Sequence, residues 1–222
     1  MSIKDSILEI EQDIKKLSQS DVMLLCVTKT VSIDNIMEAY NMGYRDFGEN
    51  KVQELLYKKE NMPDDINWHL IGHLQTNKVN KIVGKVSLIQ SIDSLKILKK
   101  VNNRAKELGI IQDILIEVNV SNEESKHGFK VDELSSLFEG IEEFKNIKVK
   151  GFMTMAPNIE DEDKIRWVFS SLNKIFEKFS QLSYNNTDMK FISMGMTHDY
   201  KIALEEGANI IRVGSKIFGK RK

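Results

Sequence analysis

The chain has 222 residues, 32 of them Lys or Arg and 33 Asp or Glu, for a net charge of −1. That balance argues against a chain-wide claim on nucleic acid or on an anionic membrane surface. A composition of 41% hydrophobic and 29% charged residues belongs to a folded globular chain, not a disordered one. The single cysteine, Cys26, excludes an internal disulfide and argues against a cysteine-based zinc site. The opening MSIKDSILEI mixes charge into its first turns and lacks the apolar core of a signal peptide. The apolar run Val22–Val27 is far too short to cross a bilayer, so a cytoplasmic protein is expected.

Residues 2–18 read as a helix. Ile3, Ile7, Ile10, Ile14 and Leu17 fall on one face, with Ser2 as cap and Asp5 near the positive end of the dipole. The period then changes. Residues 22–27 form a continuous apolar run of strand length, which suits a strand covered on both faces. A helix carrying Ile33, Ile36, Met37 and Tyr40 follows. Next come a strand near 44–47, a helix over 50–60, a strand near 67–71 and a helix near 76–83. A strand near 86–90 precedes a strongly periodic helix with Leu95, Leu98, Ala105 and Leu108 on one face. Residues 114–120 read as a strand, 131–141 as a helix with Leu134, Leu137 and Phe138 inward, and 149–153 as a strand. A long helix over 161–182 carries Ile165, Val168, Leu172, Ile175, Phe179 and Leu182 in register. A strand over 191–194, a helix over 199–206 and a strand over 210–213 complete the series.

Eight strands alternating with helices predict right-handed crossovers and a parallel sheet. Eight such units in about 200 residues fit a closed (β/α)8 TIM barrel better than an open doubly wound sheet. The N-terminal helix is expected to cover the place of the eighth helix. No linker or repeat divides the chain, so residues 1–222 read as one domain.

Chemistry in such a barrel sits at the carboxyl ends of the strands. There the chain delivers Thr28-Lys29-Thr30, Gly48-Glu49-Asn50, Gly72-His73, Asn119-Val120-Ser121, Met153-Thr154, Ser193-Met194-Gly195 and Arg212-Val213-Gly214-Ser215. The loops after the seventh and eighth strands commonly form a phosphate site. Gly195 and Gly214 would let backbone N–H groups approach an anion, Ser193 and Ser215 add hydroxyls, and Arg212 adds a cation. The bland alternative is ordinary turn chemistry. Lys29 ends an apolar strand. It either snorkels to the barrel mouth or, with its pKa lowered, attacks a carbonyl to form an imine. A lysine and a phosphate cradle on one face are the two parts that a phosphate-bearing aldehyde needs, and pyridoxal 5'-phosphate fits.

Other signals are weaker. His69 and His73 are four residues apart, but Gly72 intervenes and no HExxH glutamate accompanies them, so no metal site is expected there. Cys26, inside an apolar run, reads as a core residue. The Lys220-Arg221-Lys222 end reads as a solvated tail.

The chain resembles the pyridoxal phosphate homeostasis proteins, small proteins similar to the N-terminal barrel of alanine racemase. The resemblance rests on CVTKT at 26–30, DFGENKVQE at 46–54, WHLIGHLQTNKVNKIV at 68–83, EVNVSNEESKHGF at 117–129, GFMTM at 151–155, SMGMTHDYKIAL at 193–204 and IIRVGSKIFG at 210–219. It implies that Lys29 holds the cofactor as an internal aldimine. It further implies that Ser193, Gly214 and Ser215 contact the phosphate, that Arg212 faces the pyridine nitrogen and that Asn50 lies beside the ring. A permanent cation at that nitrogen disfavours its protonation and makes the ring a poorer electron sink. The chain departs from the family pattern at Thr28, where Ser is usual. It departs again at Val31-Ser32, which lack the proline often found there, and at Thr197, which stands in place of Ser. The resemblance implies a cofactor-binding protein of vitamin B6 and amino-acid homeostasis, with pyridoxal phosphate-requiring apoenzymes as possible partners. Two other readings stay open: an amino-acid racemase, against which the missing second domain argues, and a cofactor-free barrel serving as an interaction protein. No nucleic acid or membrane partner is expected, and the chain is expected to be a monomer.

Overall fold

The computed structural model describes residues 2–123 and 126–219. Glu124 and Ser125 of the 117–129 block, and the tail Lys220 to Lys222, lie outside the described residues.

Helix α1 (Ile3–Leu17) opens the chain. Ser2 and Asp5 cap it reciprocally, each side chain accepting from the other's backbone N–H. The alternating series then runs β1 (Met23–Val27), α2 (Ile33–Asn41), β2 (Asp46–Glu49), α3 (Val52–Asn61), β3 (Asn67–Leu70), α4 (Val79–Ile82), β4 (Leu88–Ile92) and α5 (Leu95–Leu108). It continues with β5 (Gln112–Asn119), the short β6 (Phe129–Lys130), α6 (Glu133–Glu139), β7 (Ile147–Met153), α7 (Glu162–Ser180), β8 (Thr187–Ser193), α8 (Tyr200–Glu205), β9 (Ile210–Val213) and α9 (Ser215–Phe218).

All strand pairings are parallel. Leaving aside the two-residue β6, the order β4-β3-β2-β1-β9-β8-β7-β5 closes through a β4–β5 pairing into an eight-stranded TIM barrel. The continuous apolar runs are explained by this closure, because each strand is covered by helices outside and by packed side chains inside. Leu24 to Val27 are all buried. Leu25, Leu88, Leu115, Met153 and Ile210 fill the inner core. Helix α1 packs on α8, α9 and α2, so it does cover the barrel where a full eighth helix would sit. Lys216 Nζ in α9 donates to Glu9 Oε1 at 2.8 Å across that seam.

Several boundaries differ from the sequence reading. The strand expected at 44–47 lies at Asp46–Glu49, because Arg45 is turned outward to Asp65 and begins the pairing edge with its carbonyl. The helix expected near 76–83 is a 3-10 turn followed by the four residues of α4. In α5 the buried face is Ile97, Leu98, Val101, Asn102 and Ala105, while Leu95 and Leu108 are exposed. Leu95 is the first residue of the helix and Leu108 the last, each beyond the buried positions, which run from Ile97 to Ala105. Leu182 lies beyond the end of α7 and is exposed.

Candidate ligand-binding site at the barrel mouth

The carboxyl ends of β1, β2 and β9, with the loop after β8, enclose a cavity of about 200 Å³. Lys29, Asn50, Arg212, Gly214 and Ser215 all line it, with Ile71, Met155, Met196, Thr197 and His198 completing the wall. The cavity suits a small molecule with one ring, not a peptide. Cys26 takes no part. It is fully buried in the strand, and burial pushes its thiol well above the usual range.

Lys29 stands on a clamped turn. Its neighbour Thr28 is buried, donating through Oγ1 to Glu49 Oε1 at 2.6 Å. The buried Lys58 of α3 donates to Thr28 O at 2.7 Å, Glu49 Oε1 at 2.6 Å and Glu54 Oε1 at 2.8 Å. On the other side Thr30 adopts φ 62°, the left-handed region that β-branched residues avoid. Its backbone N–H donates to Glu54 Oε1 at 2.5 Å, which holds it there. Burial raises the Glu49 carboxyl, opposed by the bonds from Lys58 and Thr28. The Glu54–Lys58 spacing of four in the sequence reads as a surface helix pair. Nothing in the sequence shows that Lys58 turns inward beneath Lys29.

Arg212 is held from below by a polar chain that crosses the barrel. Its Nη1 donates to Ser193 Oγ at 2.7 Å and its Nη2 to Thr154 O at 2.8 Å. Ser193 Oγ donates in turn to Gln90 Oε1 at 2.6 Å. With Gln90 Nε2 as donor, His69 Nδ1 accepts at 3.0 Å, which leaves the Nε2 proton facing Asp46 Oδ1 at 3.4 Å. Burial draws the guanidinium down to about 10, opposed by Asp199 and Glu117, so it is a cation at neutral pH. Ser193 is therefore not on the cavity wall. It is fully buried, with its hydroxyl engaged on both sides, and it positions Arg212. The sequence does not mark Gln90 and His69 as supports, because a polar residue inside an apolar strand run does not reveal which face it occupies, and Thr154 serves through its backbone carbonyl, which no side-chain pattern marks.

A hydroxyl pair forms another part of the wall. Ser215 Oγ donates to Thr197 Oγ1 at 3.1 Å, and the Lys216 backbone N–H points at the same oxygen at 3.4 Å. Gly195 serves this wall by close packing: at φ +85° its missing Cβ would lie 2.5 Å from Ala203 Cβ in α8. Gly72 does the same for Asn50, since a Cβ there would lie 2.4 Å from the Asn50 carbonyl oxygen.

Glu117 is buried below the mouth. Burial, with the Asp93 charge adding and Arg212 opposing, pushes its carboxyl up to about 7. The folded state thus binds this proton more tightly than the unfolded chain. The resulting stability is full below about pH 4.5 and is lost as the pH rises through 7. Wild type is expected to lose about 3 kcal/mol relative to Glu117→Gln between those limits, measured by urea unfolding of both proteins at pH 4.5 and 8. Parallel pH profiles would remove this assignment.

The sequence matches the family model for the N-terminal domain of alanine racemase over residues 7–222. It is 45% identical over 200 residues to the pyridoxal phosphate homeostasis protein of Aquifex aeolicus (strain VF5), covering 90% of this chain and 87% of that one. The chain belongs to the pyridoxal phosphate homeostasis protein family. The human protein of the same name is 36% identical over 209 residues, with 89% of this chain and 76% of that protein covered. Among solved structures, PipY of Synechococcus elongatus PCC7942 with pyridoxal phosphate bound superposes with a TM-score of 0.87 at 29% identity, covering 98% of this chain and 100% of that one. No helix among the described residues is long and apolar enough to cross a membrane.

Proposed function

We propose that this chain binds pyridoxal 5'-phosphate in the barrel mouth, anchored covalently on Lys29, and acts as a carrier in vitamin B6 and amino-acid homeostasis. The observation that carries this reading is the meeting, in one cavity, of a lysine, a buried cation and a hydroxyl pair. When bound, the cofactor supplies an aldehyde that condenses with a primary amine, and a phosphate dianion. The remaining roles belong to the chain. Lys29 Nζ is the amine. The Ser215 hydroxyl, turning its proton from Thr197 Oγ1 to the ligand, and the backbone at Gly214 take the phosphate, with Thr197 then free to donate to Ser215 Oγ. Asn50 lies beside the ring, between Ile71 and the methionines Met155 and Met196.

Arg212 supports the carrier role over racemisation. A cation fixed by Ser193 and Thr154 and assigned to the ring nitrogen disfavours a proton there and weakens the ring as an electron sink. The names of the relatives point the same way. We further propose that residues 1–222 work as one domain, in the cytoplasm. The protein would act as a monomer that passes the cofactor to apoenzymes requiring it. Of the exposed large apolar side chains, Leu8, Tyr57, Leu108 and Trp167 lie on four different helices, α1, α3, α5 and α7, while Met155, Ile159 and Met196 gather at the mouth, where a ligand rather than a second chain would cover them, and this supports the monomer.

Borohydride reduction of the loaded protein, followed by peptide mapping, is expected to place the label on Lys29. A label on another lysine, or none, would overturn the anchor. In the loaded protein before reduction, turnover of L-alanine to the D-isomer is expected to be negligible; repeated turnover at enzyme-like rates would favour the racemase instead.

A further inference from the structure

Across the mouth from the phosphate wall, the loops after β3, β4 and β5 bring together His73, Asp93 and His127. None of the three lines the cavity described above. One donor atom from each lies within 4.8 Å of the others. His73 Nδ1 is 2.6 Å from Asp93 Oδ2, and His127 Nδ1 is 3.6 Å from the same oxygen. The two imidazoles stack face to face, with centroids 4.1 Å apart and planes 14° from parallel. Their equivalent nitrogens therefore turn toward one carboxylate oxygen. The Asp93 side chain is only 5% exposed, while its other oxygen accepts from Ser94 Oγ at 3.1 Å. His73 and His127 are exposed, so the open side of the cluster faces solvent.

We propose that His73, Asp93 and His127 form a binding site for a divalent transition-metal ion of the zinc class. Metal–donor bonds of about 2.0–2.1 Å that subtend 80–120° at the ion separate their donors by about 2.6–3.6 Å. The two separations from Asp93 Oδ2 fall at the limits of that range. A hydrogen bond between His73 and Asp93 alone accounts for one imidazole. His127 brings the same nitrogen toward the same oxygen, and, because a metal is bound in the plane of each imidazole, the two near-parallel exposed rings must fan apart about the ion when it binds. Two imidazoles and a carboxylate suit zinc, cobalt or nickel better than magnesium or calcium, which prefer all-oxygen sets. The bond from Ser94 supplies the outer support that metal-binding carboxylates use. Three protein ligands leave at least one position for water or an exogenous donor.

The spacing of His69 and His73 in sequence points elsewhere and misleads. His69 turns into the barrel to Gln90, so the partner of His73 comes from a different loop. The test is a Co²⁺ titration of purified protein freed of metal by dialysis against chelator, followed by displacement with Zn²⁺. One Co²⁺ per chain is expected, giving visible ligand-field bands that Zn²⁺ abolishes. His73→Ala and His127→Ala should each weaken binding by at least about tenfold, and the double variant should abolish it. Retained cofactor absorbance in the variants checks that the barrel is intact. His73→Gln and His127→Gln provide the same test should an alanine variant fail to fold. No saturable binding at millimolar Co²⁺ or Zn²⁺, or wild-type affinity in a folded double variant, would overturn the site.

Discussion

Lys29→Ala is expected to lose the near-visible absorbance of bound cofactor and to release it on gel filtration, with affinity falling by at least about 100-fold, or ~2.7 kcal/mol. The reason is specific to the anchor. The turn that presents Lys29 is held by the bonds of Thr28, Thr30 and Lys58, which the substitution leaves in place, so the cavity should persist without the amine. Ser215→Ala provides the contrast. Removing one hydrogen bond to a charged group is worth about 1.5–3 kcal/mol. That variant should bind about 10–100-fold more weakly yet keep the absorbance at saturating cofactor. The two variants therefore separate in a titration that records both colour and retention. If Lys29→Ala keeps its colour, another amine is the anchor. If Ser215→Ala binds like wild type, the phosphate is held elsewhere.

The second large effect is expected at Lys58, which touches no part of the cavity. Its ammonium is buried and satisfies Glu49, Glu54 and the Thr28 carbonyl together. Glu49 is fully buried, and its second oxygen, Oε2, has no hydrogen-bond partner among the described residues. Lys58→Ala leaves that carboxyl without its cation, a change worth about 3–5 kcal/mol. It also frees the turn under Lys29. Urea unfolding should register the lost stability, and cofactor titration a weakened anchor. The pair Glu49→Leu with Lys58→Met should recover most of the stability, because replacing both partners removes the orphaned charge. If Lys58→Ala unfolds like wild type, the ion pair is not a structural clamp.

The barrel was legible because its strands are short continuous apolar runs separated by amphipathic segments, a rhythm that needs no tertiary knowledge. The sequence directs Lys29, Asn50, Gly214 and Ser215 to the barrel mouth because each lies one or two residues past a strand end, and Arg212 because it is the last but one residue of β9. What escaped depends on side-chain direction. Gln90 sits between Ile89 and Ser91 in a fully buried strand, and the sequence does not say which of them faces the barrel axis. Its place beside the seventh loop puts Ser193 near an anion on sequence grounds. One residue earlier than the loop, however, its hydroxyl points inward to Arg212. Lys58 reads as one more solvent-facing lysine of a charged helix. Periodicity carries the apolar stripe of α5 through Leu95 and Leu108, since large residues at helix ends count toward it whether or not they are buried. The His73–His127 pairing joins loops 54 residues apart in the sequence, so no local spacing announces it.

The bonds that tie Arg212 to Ser193 and Thr154 have a thermodynamic corollary. An unrestrained arginine carries about 2 kcal/mol of rotamer freedom that a ligand must suppress on arrival. Here that freedom is surrendered when the chain folds, so a guest would meet a guanidinium already immobilised. Folding, rather than ligation, bears the ordering, and the mouth can be receptive without first rearranging.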